Sequence, residues 1–252
     1  MRITTLGTSH GDATYCRFNS STLIETSGGS YLLDCGEPAT ALMVRQQKDA
    51  GALRAVFITH MHGDHAFGLP ALMKMLVKYA REGQHTDLFL AEEGAAESLS
   101  GWLSACHVPW PSPVVTARVT RPGPIFDDGV MSVTAQATRH LRDADRPGVP
   151  LSFAYVLQAE DKRLVYTGDL SADFSDFPAA ARRTECDLCI CEVTHYQPEA
   201  ALPILMQSPI KRLVLNHVHN PWHGEGEKVL LDMMRQLPYP VEVAHDGDVF
   251  TL

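Results

Sequence analysis

What the sequence lacks narrows it first. No apolar run approaches the ~20 residues that cross a bilayer. The opening residues, MRITTLGTSHGDATYC, have neither the apolar core nor the small-residue cleavage site of a secretory leader. A cytoplasmic protein with no membrane partner is the expectation. Positive charge is also short: 21 Lys and Arg stand against 30 Asp and Glu, a net charge of −9 with histidine neutral. That balance supplies no overall attraction to nucleic acid. Cysteine is too sparse for a disulfide scaffold. Of Cys16, Cys35, Cys106, Cys186, Cys189 and Cys191, only Cys186 and Cys189 make a CxxC, and DLCICEV around them alternates as a buried strand does. Buried free thiols are therefore expected there. Low-complexity tracts and repeats are missing too. With 45% hydrophobic and 20% charged residues, disorder is excluded and 252 residues suffice for a real core.

Strand-like runs recur: RITTL, STLIE, SYLLD, RAVFIT, DLFLA, VMSVTAQA, LSFAYVLQA, RLVYTGD, DLCICEV, RLVLN, PVEVA and DVFTL. Helical spacing of apolar residues marks ATALMVRQQKDAG, LPALMKMLVKYAREG, GAAESLSGWLSA and EGEKVLLDMMRQL. Such a mixture predicts α/β sheets packed between helices. The Pro-rich segment 109–113 and RPGPIFDDG at 121–129 punctuate the middle. They divide the chain into halves of about 1–125 and 126–252. No linker is long enough to separate these, so a single domain over 1–252 is expected.

Histidine is what the chain has in excess, twelve in all and unevenly placed. AVFITHMHGDHAFGLPALM carries His60, His62, Asp64 and His65 within six residues, delivered by an apolar strand and followed by a helix starting near Leu69. His60 and His62, two apart, share a face of extended backbone. Asp64 and His65 sit on the turn and can face a second point. Imidazoles and a carboxylate at this density suit zinc, manganese or iron.

HxHxDH after a strand resembles the signature of the metallo-β-lactamase superfamily. The resemblance extends over roughly residues 1 to 250. It implies an αββα sandwich of two mixed β-sheets flanked by helices, with a dinuclear metal site fed by five separated segments. Asp34 in LLDCGE matches the carboxylate that props up the metal loop. His140 in TAQATRH, Asp169 in LVYTGDL and His217 in RLVLNH match the later motifs. The resemblance thus assigns His60, His62 and His140 to one metal and Asp64, His65 and His217 to the other, with Asp169 bridging. Zinc is the superfamily's default, with Mn2+ or Fe2+ as alternatives. His62, where a redox branch carries glutamate, favours hydrolysis.

Within the superfamily, LLDCGE, VFITHMHGDHAFGLPALM and YTGDL are similar to ribonuclease Z and its phosphodiesterase relatives. DLCICEVTHY is similar to the segment that carries a catalytic glutamate there, which places Glu192 in a proton relay with a histidine. The usual Ser/Thr-containing histidine segment and the Gly/Pro-rich tRNA-clamping arm are not evident. His195, His219 or His223 would then partner Glu192, and Asp64 would accept a proton from water as well as bind metal. Catalytic candidates are Asp64, Glu192 and His195. Substrate contacts fall to His10, Asp12 and Arg17 in the first loop and to His219 and His223.

The expected activity is a phosphodiesterase using hydroxide held between two divalent ions, since such ions lower the pKa of water towards about 7. Its substrate is a small cyclic nucleotide-like phosphodiester or an RNA end, and relatives are often homodimers. A carboxylic ester, thioester or lactone hydrolase of the same fold is the alternative. A non-catalytic metal or metabolite binder comes third.

Overall fold

A computed structural model describes residues 1–141 and 146–252. The chain forms two compact units. The first comprises Met1–Gly7, Gly11–Thr120 and Asp246–Thr251, and the second Thr8–His10, Arg121–His245 and Leu252. They do not follow a single cut in the chain, because the last strand returns to pair with the first.

In the first unit, β1 (Arg2–Gly7), β2 (Ser21–Thr26), β3 (Gly29–Leu33), β4 (Leu53–Phe57), β5 (Thr86–Leu90), β6 (Val115–Val119) and β14 (Val249–Thr251) make one sheet. Its order is β14-β1-β2-β3-β4-β5-β6. Pairing is antiparallel from β14 to β3 and parallel from β3 to β6. Parallel neighbours need crossovers, and α1 (Ala39–Arg45), α3 (Leu69–Lys78) and α4 (Ala95–Ala105) supply them. Their apolar stripes, with Met43, Leu72, Met73, Leu76 and Leu103 fully buried, pack on Leu23, Leu32, Val56 and Leu88 of the sheet. A short helix, α2 (Gly63–Ala66), lies between β4 and α3.

The second unit holds β7 (Gly123–Asp127), β8 (Ser132–Ala137), β9 (Phe153–Ala159), β10 (Lys162–Tyr166), β11 (Leu188–Val193), β12 (Leu213–Val218) and β13 (Val241–Val243), with α5 (Ala179–Arg183), α6 (Pro198–Leu205) and α7 (Glu225–Met234). Sheet order is β13-β12-β11-β10-β9-β8-β7. Here β7 to β10 pair antiparallel and β10 to β13 parallel. Ala181, Leu205, Leu230 and Met234 of the helices close on Val165, Cys189, Cys191, Leu213 and Leu215.

Two strands depart from the sequence reading. RPGPIFDDG, expected as punctuation, contributes β7, an edge strand whose pairing with β8 shifts register between Pro124 and Phe126. An edge tolerates a residue with no N–H to donate, so Pro124 does not exclude a strand there. The other is β6, whose VTARV is too polar to stand out. The cysteine expectation holds: all six are free, and Cys186, Cys189 and Cys191 are buried on or beside β11.

Candidate metal centre

In both units most of the chemistry-bearing residues lie at or just past the C-terminal ends of strands in the parallel part of the sheet, where strands feed loops and ligands usually bind, whereas His140 follows the antiparallel strand β8. The first unit builds its half from the inside out. Asp34, fully buried just past β3, has a positive φ of 56° that turns its carboxylate toward the end of β4. Thr59 donates to it through its N–H (2.8 Å) and hydroxyl (2.9 Å). His65 Nδ1 lies 2.8 Å from the other carboxylate oxygen. Donation from Nδ1 leaves Nε2 as the lone-pair nitrogen, the state a ligand needs. His60 Nδ1 reaches the Thr59 hydroxyl at 3.1 Å, which fixes that ring the same way.

The loops are interlocked as well: Cys35 N–H donates to the His65 carbonyl (2.7 Å) and Gly68 N–H to the Cys35 carbonyl (2.8 Å). A Cβ at Gly36 would lie 2.1 Å from the Asp64 carbonyl oxygen, so only glycine allows this approach. The Asp-Cys-Gly of LLDCGE is thereby explained. His60 and His62 rings lie 4.7 Å apart, and His60 and His65 4.1 Å. Asp64 Oδ2 sits 3.3 Å from His65 Nε2.

The second unit converges on Asp169, buried past β10. His140 Nε2 lies 3.6 Å from one of its oxygens and His217 Nε2 3.7 Å from the other. These separations are longer than hydrogen bonds. Around an ion with bonds of about 2.0–2.1 Å, tetrahedral ligands sit about 3.3–3.4 Å apart. The separations of 3.6 and 3.7 Å are therefore close to those of nitrogen and oxygen donors that share an ion. The His217 tautomer is fixed by Thr194, whose hydroxyl donates to the His217 carbonyl and accepts from Nδ1 at 3.0 Å. Nε2 is again left with its lone pair. The donor set is imidazole and carboxylate, which zinc, manganese and iron all accept.

Glu192, buried on β11, anchors the neighbourhood. It accepts from Leu170 N–H (2.7 Å), Thr194 N–H (2.8 Å) and His195 N–H (2.9 Å). Its carboxylate also lies 3.0 Å from His195 Nδ1. His195 is partly exposed, with its ring 4.4 Å from that of His140. Asp169, His195 and His217 each offer a donor atom within 4.8 Å of the others, a grouping that sequence reasoning had split between ligand and relay.

The remaining candidates scatter. His10 stands beside His219 (5.5 Å between ring centres) and His223 (6.2 Å) because Ser9 bridges to Val218. His223 Nε2 is 2.8 Å from the Val218 carbonyl. The His219 ring is held below its ordinary pKa by burial and then by the neighbouring imidazoles. Asp12 is exposed in the first loop, whereas Arg17 is buried, 2% exposed. Sequence reasoning missed Thr59 and Thr194. The available signal was a threonine one or two residues before several of the candidates, Thr59-His60, Thr138-Arg139-His140, Thr167-Gly168-Asp169 and Thr194-His195, although none precedes His217 in this way.

The chain is similar in sequence and fold to known proteins. A family model described as "Anti-Pycsar protein Apyc1" matches residues 1–217. Ribonuclease Z of Acaryochloris marina is 34% identical over 164 residues, which span 59% of this chain and about half (49%) of that protein. Ribonuclease BN of Escherichia coli O7:K1 is 26% identical over an alignment of 311 positions that covers 100% of both chains. Since this chain has 252 residues, at least 59 of those positions have no residue here. Among solved structures, the metallo-β-lactamase fold protein YhfI from Bacillus subtilis aligns with a TM-score of 0.79 at 20% identity over 99% of both chains. Human tRNase Z, short form, aligns at 0.75 and 23% over 100% of this chain and 99% of its own. The α/β fold of two mixed sheets with flanking helices is thus the metallo-β-lactamase fold, and in sequence the chain is similar to ribonuclease Z and ribonuclease BN proteins.

Proposed function

The chain belongs to the Anti-Pycsar protein Apyc1 family, and from that premise we propose that it is a dinuclear metal-dependent phosphodiesterase acting on a small, cyclic nucleotide-like phosphodiester. The ligand assignment is part of the proposal: His60, His62 and His140 for one ion, Asp64, His65 and His217 for the other, Asp169 shared. The observation that carries it is the disposition of Asp169, with one oxygen toward His140 and the other toward His217. When bound, divalent ions there supply Lewis acidity toward a phosphoryl oxygen and bring the pKa of water down to about 7.

The chain's own residues do the rest. Asp64, buried beside His65, accepts a proton from the attacking water. Glu192 holds His195 Nδ1–H at 3.0 Å, so the other ring nitrogen, on a partly exposed side chain, is placed to protonate the leaving oxygen. Thr194 keeps its own N–H on Glu192 and its hydroxyl on His217, tying the relay to a ligand.

A small substrate is favoured over a long RNA by three features. The net charge is −9, at least 59 positions of the ribonuclease BN alignment have no residue here, and Arg81, Lys211 and Arg212 are each ion-paired to an acid. A second reading, ester or lactone hydrolysis, is favoured by one feature of the first unit. A groove of about 1020 Å³ beside the metal loop is lined by Met61, Phe67, Leu69 and Trp102, with Glu92 and Glu97 and, among the described residues, with no Lys or Arg. Phe67 and Trp102 there are 73% and 60% exposed, which supports a homodimer as part of the same proposal.

The test uses purified protein of measured metal content, assayed with bis-p-nitrophenyl phosphate, cyclic mononucleotides and a p-nitrophenyl ester and lactone panel, with and without chelator. Chelator-sensitive cleavage of the phosphodiesters is expected. Cleavage of the carboxyl esters alone moves the protein to the second reading.

A further inference from the structure

His140 poses a problem of positioning. It lies between β8 and β9, outside both strands, so no ladder of backbone bonds fixes its place. A ligand held loosely binds metal weakly, because the ordering cost falls on the binding step. The structure supplies the missing restraint from side chains. Leu141 N–H donates to the hydroxyl of buried Ser152 (3.2 Å), which also accepts from the Thr138 hydroxyl (2.8 Å). On the other flank, Arg139 N–H donates to Asp176 Oδ2 (2.5 Å).

Asp176 does more than cap one amide. Its carboxylate also accepts from Ser171 N–H (3.0 and 3.1 Å) and from the Ser171 hydroxyl (2.7 Å). Ser171 stands two residues beyond Asp169. One half-buried carboxylate therefore bonds the residue before His140 and the segment just after Asp169. The loop that carries it is itself fixed. Phe174 and Phe177 are buried and stacked at 4.8 Å, and Phe174 packs edge-on against Tyr196 at 4.4 Å. Asp173 closes the loop from outside through the Ser171 hydroxyl (2.7 Å) and Ser175 (N–H 3.1 Å, hydroxyl 2.6 Å), with the Arg139 guanidinium at 3.4 Å.

From this juxtaposition we infer that Asp176 is a positioning residue for the metal centre, locking the His140 and Asp169 segments together so that both donors face one ion. Nothing in the motifs read from the sequence assigns it a role. The inference rests on the ligand reading given under Proposed function. Supporting carboxylates of this kind typically change metal affinity by about 10–100-fold when lost.

The test is Co2+ titration of the metal-free protein, followed by its absorption spectrum, for the wild type, Asp176→Ala, Asp176→Asn, His140→Ala and the His140→Ala/Asp176→Ala pair. Asp176→Ala is expected to weaken the tighter-perturbed site about 10–100-fold. Asp176→Asn, which keeps one acceptor oxygen, is expected to fall between it and the wild type. With His140 already removed, the Asp176→Ala loss should shrink several-fold, because most of what Asp176 positions has gone. An equal loss in both backgrounds overturns the inference, as does wild-type affinity in Asp176→Ala. If Asp176→Ala does not fold, Asp176→Asn carries the same cycle. A wild-type protein that takes up no metal defeats the underlying ligand reading instead, which keeps the two failures distinct.

Discussion

Each imidazole whose partner is described in the candidate centre has its tautomer chosen by an oxygen: His60 by Thr59, His65 by Asp34, His217 by Thr194 and His195 by Glu192. Thr59 does the most with the least, since one hydroxyl and one N–H hold Asp34 while the same hydroxyl receives His60. Thr59→Val, which keeps the shape and removes the hydroxyl, should weaken metal binding about tenfold or more. It should also cost the metal-free protein about 1–3 kcal/mol for the unsatisfied buried groups; calorimetric titration with a chelator competitor reads the first effect and urea unfolding of the metal-free protein the second. At Glu192 and His195 the relay makes a sharper statement. His195→Ala and Glu192→Gln should each lower kcat by about 10²–10⁴ with bound metal unchanged by elemental analysis. Loss of metal in His195→Ala would instead make His195 a ligand, with Asp169 and His217. HxHxDH was legible because its donors are contiguous and rare in type. Thr59, Thr194 and Asp176 were not, because threonine at a strand end and aspartate in a loop have many ordinary uses and only three-dimensional proximity singles them out.

At the scale of an element, β11 shows how a pattern can carry a warning and a resolution together. Its CxxC looks like a metal or redox motif, yet alternation buries Cys189 and Cys191 in the core under α6 and α7. Burial pushes the Cys186 and Cys191 thiols from 9.0 up to about 12, and Cys189 well above its ordinary value. Cys35 is raised too, by burial and then by Asp34. Only Cys16 and Cys106 are exposed. Thiol titration with a disulfide reagent at pH 8 should therefore find two reactive cysteines in the native protein and six after denaturation. A folded pKa above the unfolded one means the native state keeps protons that the unfolded chain releases. This contribution is intact below about pH 9 and declines as pH rises toward 12, so the urea midpoint should fall over that window, and Cys186→Ala/Cys191→Ala should flatten the decline. Strands with apolar alternation were legible along the chain. Those that were not, β6 and β7, are half-exposed at sheet edges and draw their stability from one neighbour rather than from apolar content. The helices α5 and α6 were missed because they are short, and Pro198 and Pro203 interrupt the helical signal in α6.

Across the whole molecule, each unit repeats one plan: an antiparallel meander that turns into a parallel run. Asp34 and Asp169 follow the strand where the change occurs, β3 and β10, while His60 and His195 follow the next strand, β4 and β11. No sequence repeat betrays this, because the plan lies in strand order and the residues filling it differ. The motif resemblance made the fold class legible, while the pairing of β14 with β1 needed the structure, three residues being too few to announce a partner. Charge points the same way as size. Three basic side chains face acids within their own unit: Lys211 pairs with Glu185 (2.7 Å) and Asp187 (3.2 Å), Arg212 with Glu242 (2.6 Å) and Arg81 with Asp49 (2.7 Å). Phosphate contacts dominate nucleic-acid affinity and its salt dependence, so a chain of net charge −9 is poorly equipped for a long RNA. The measurement that bears most directly on the central claim compares kcat/KM for cyclic mononucleotides with that for a 3′-extended tRNA precursor, on one preparation of known metal content. The expected result is chelator-sensitive hydrolysis of the cyclic nucleotide with little cleavage of the precursor and little response to salt. Cleavage of the precursor alone, falling steeply as salt rises, would contradict it.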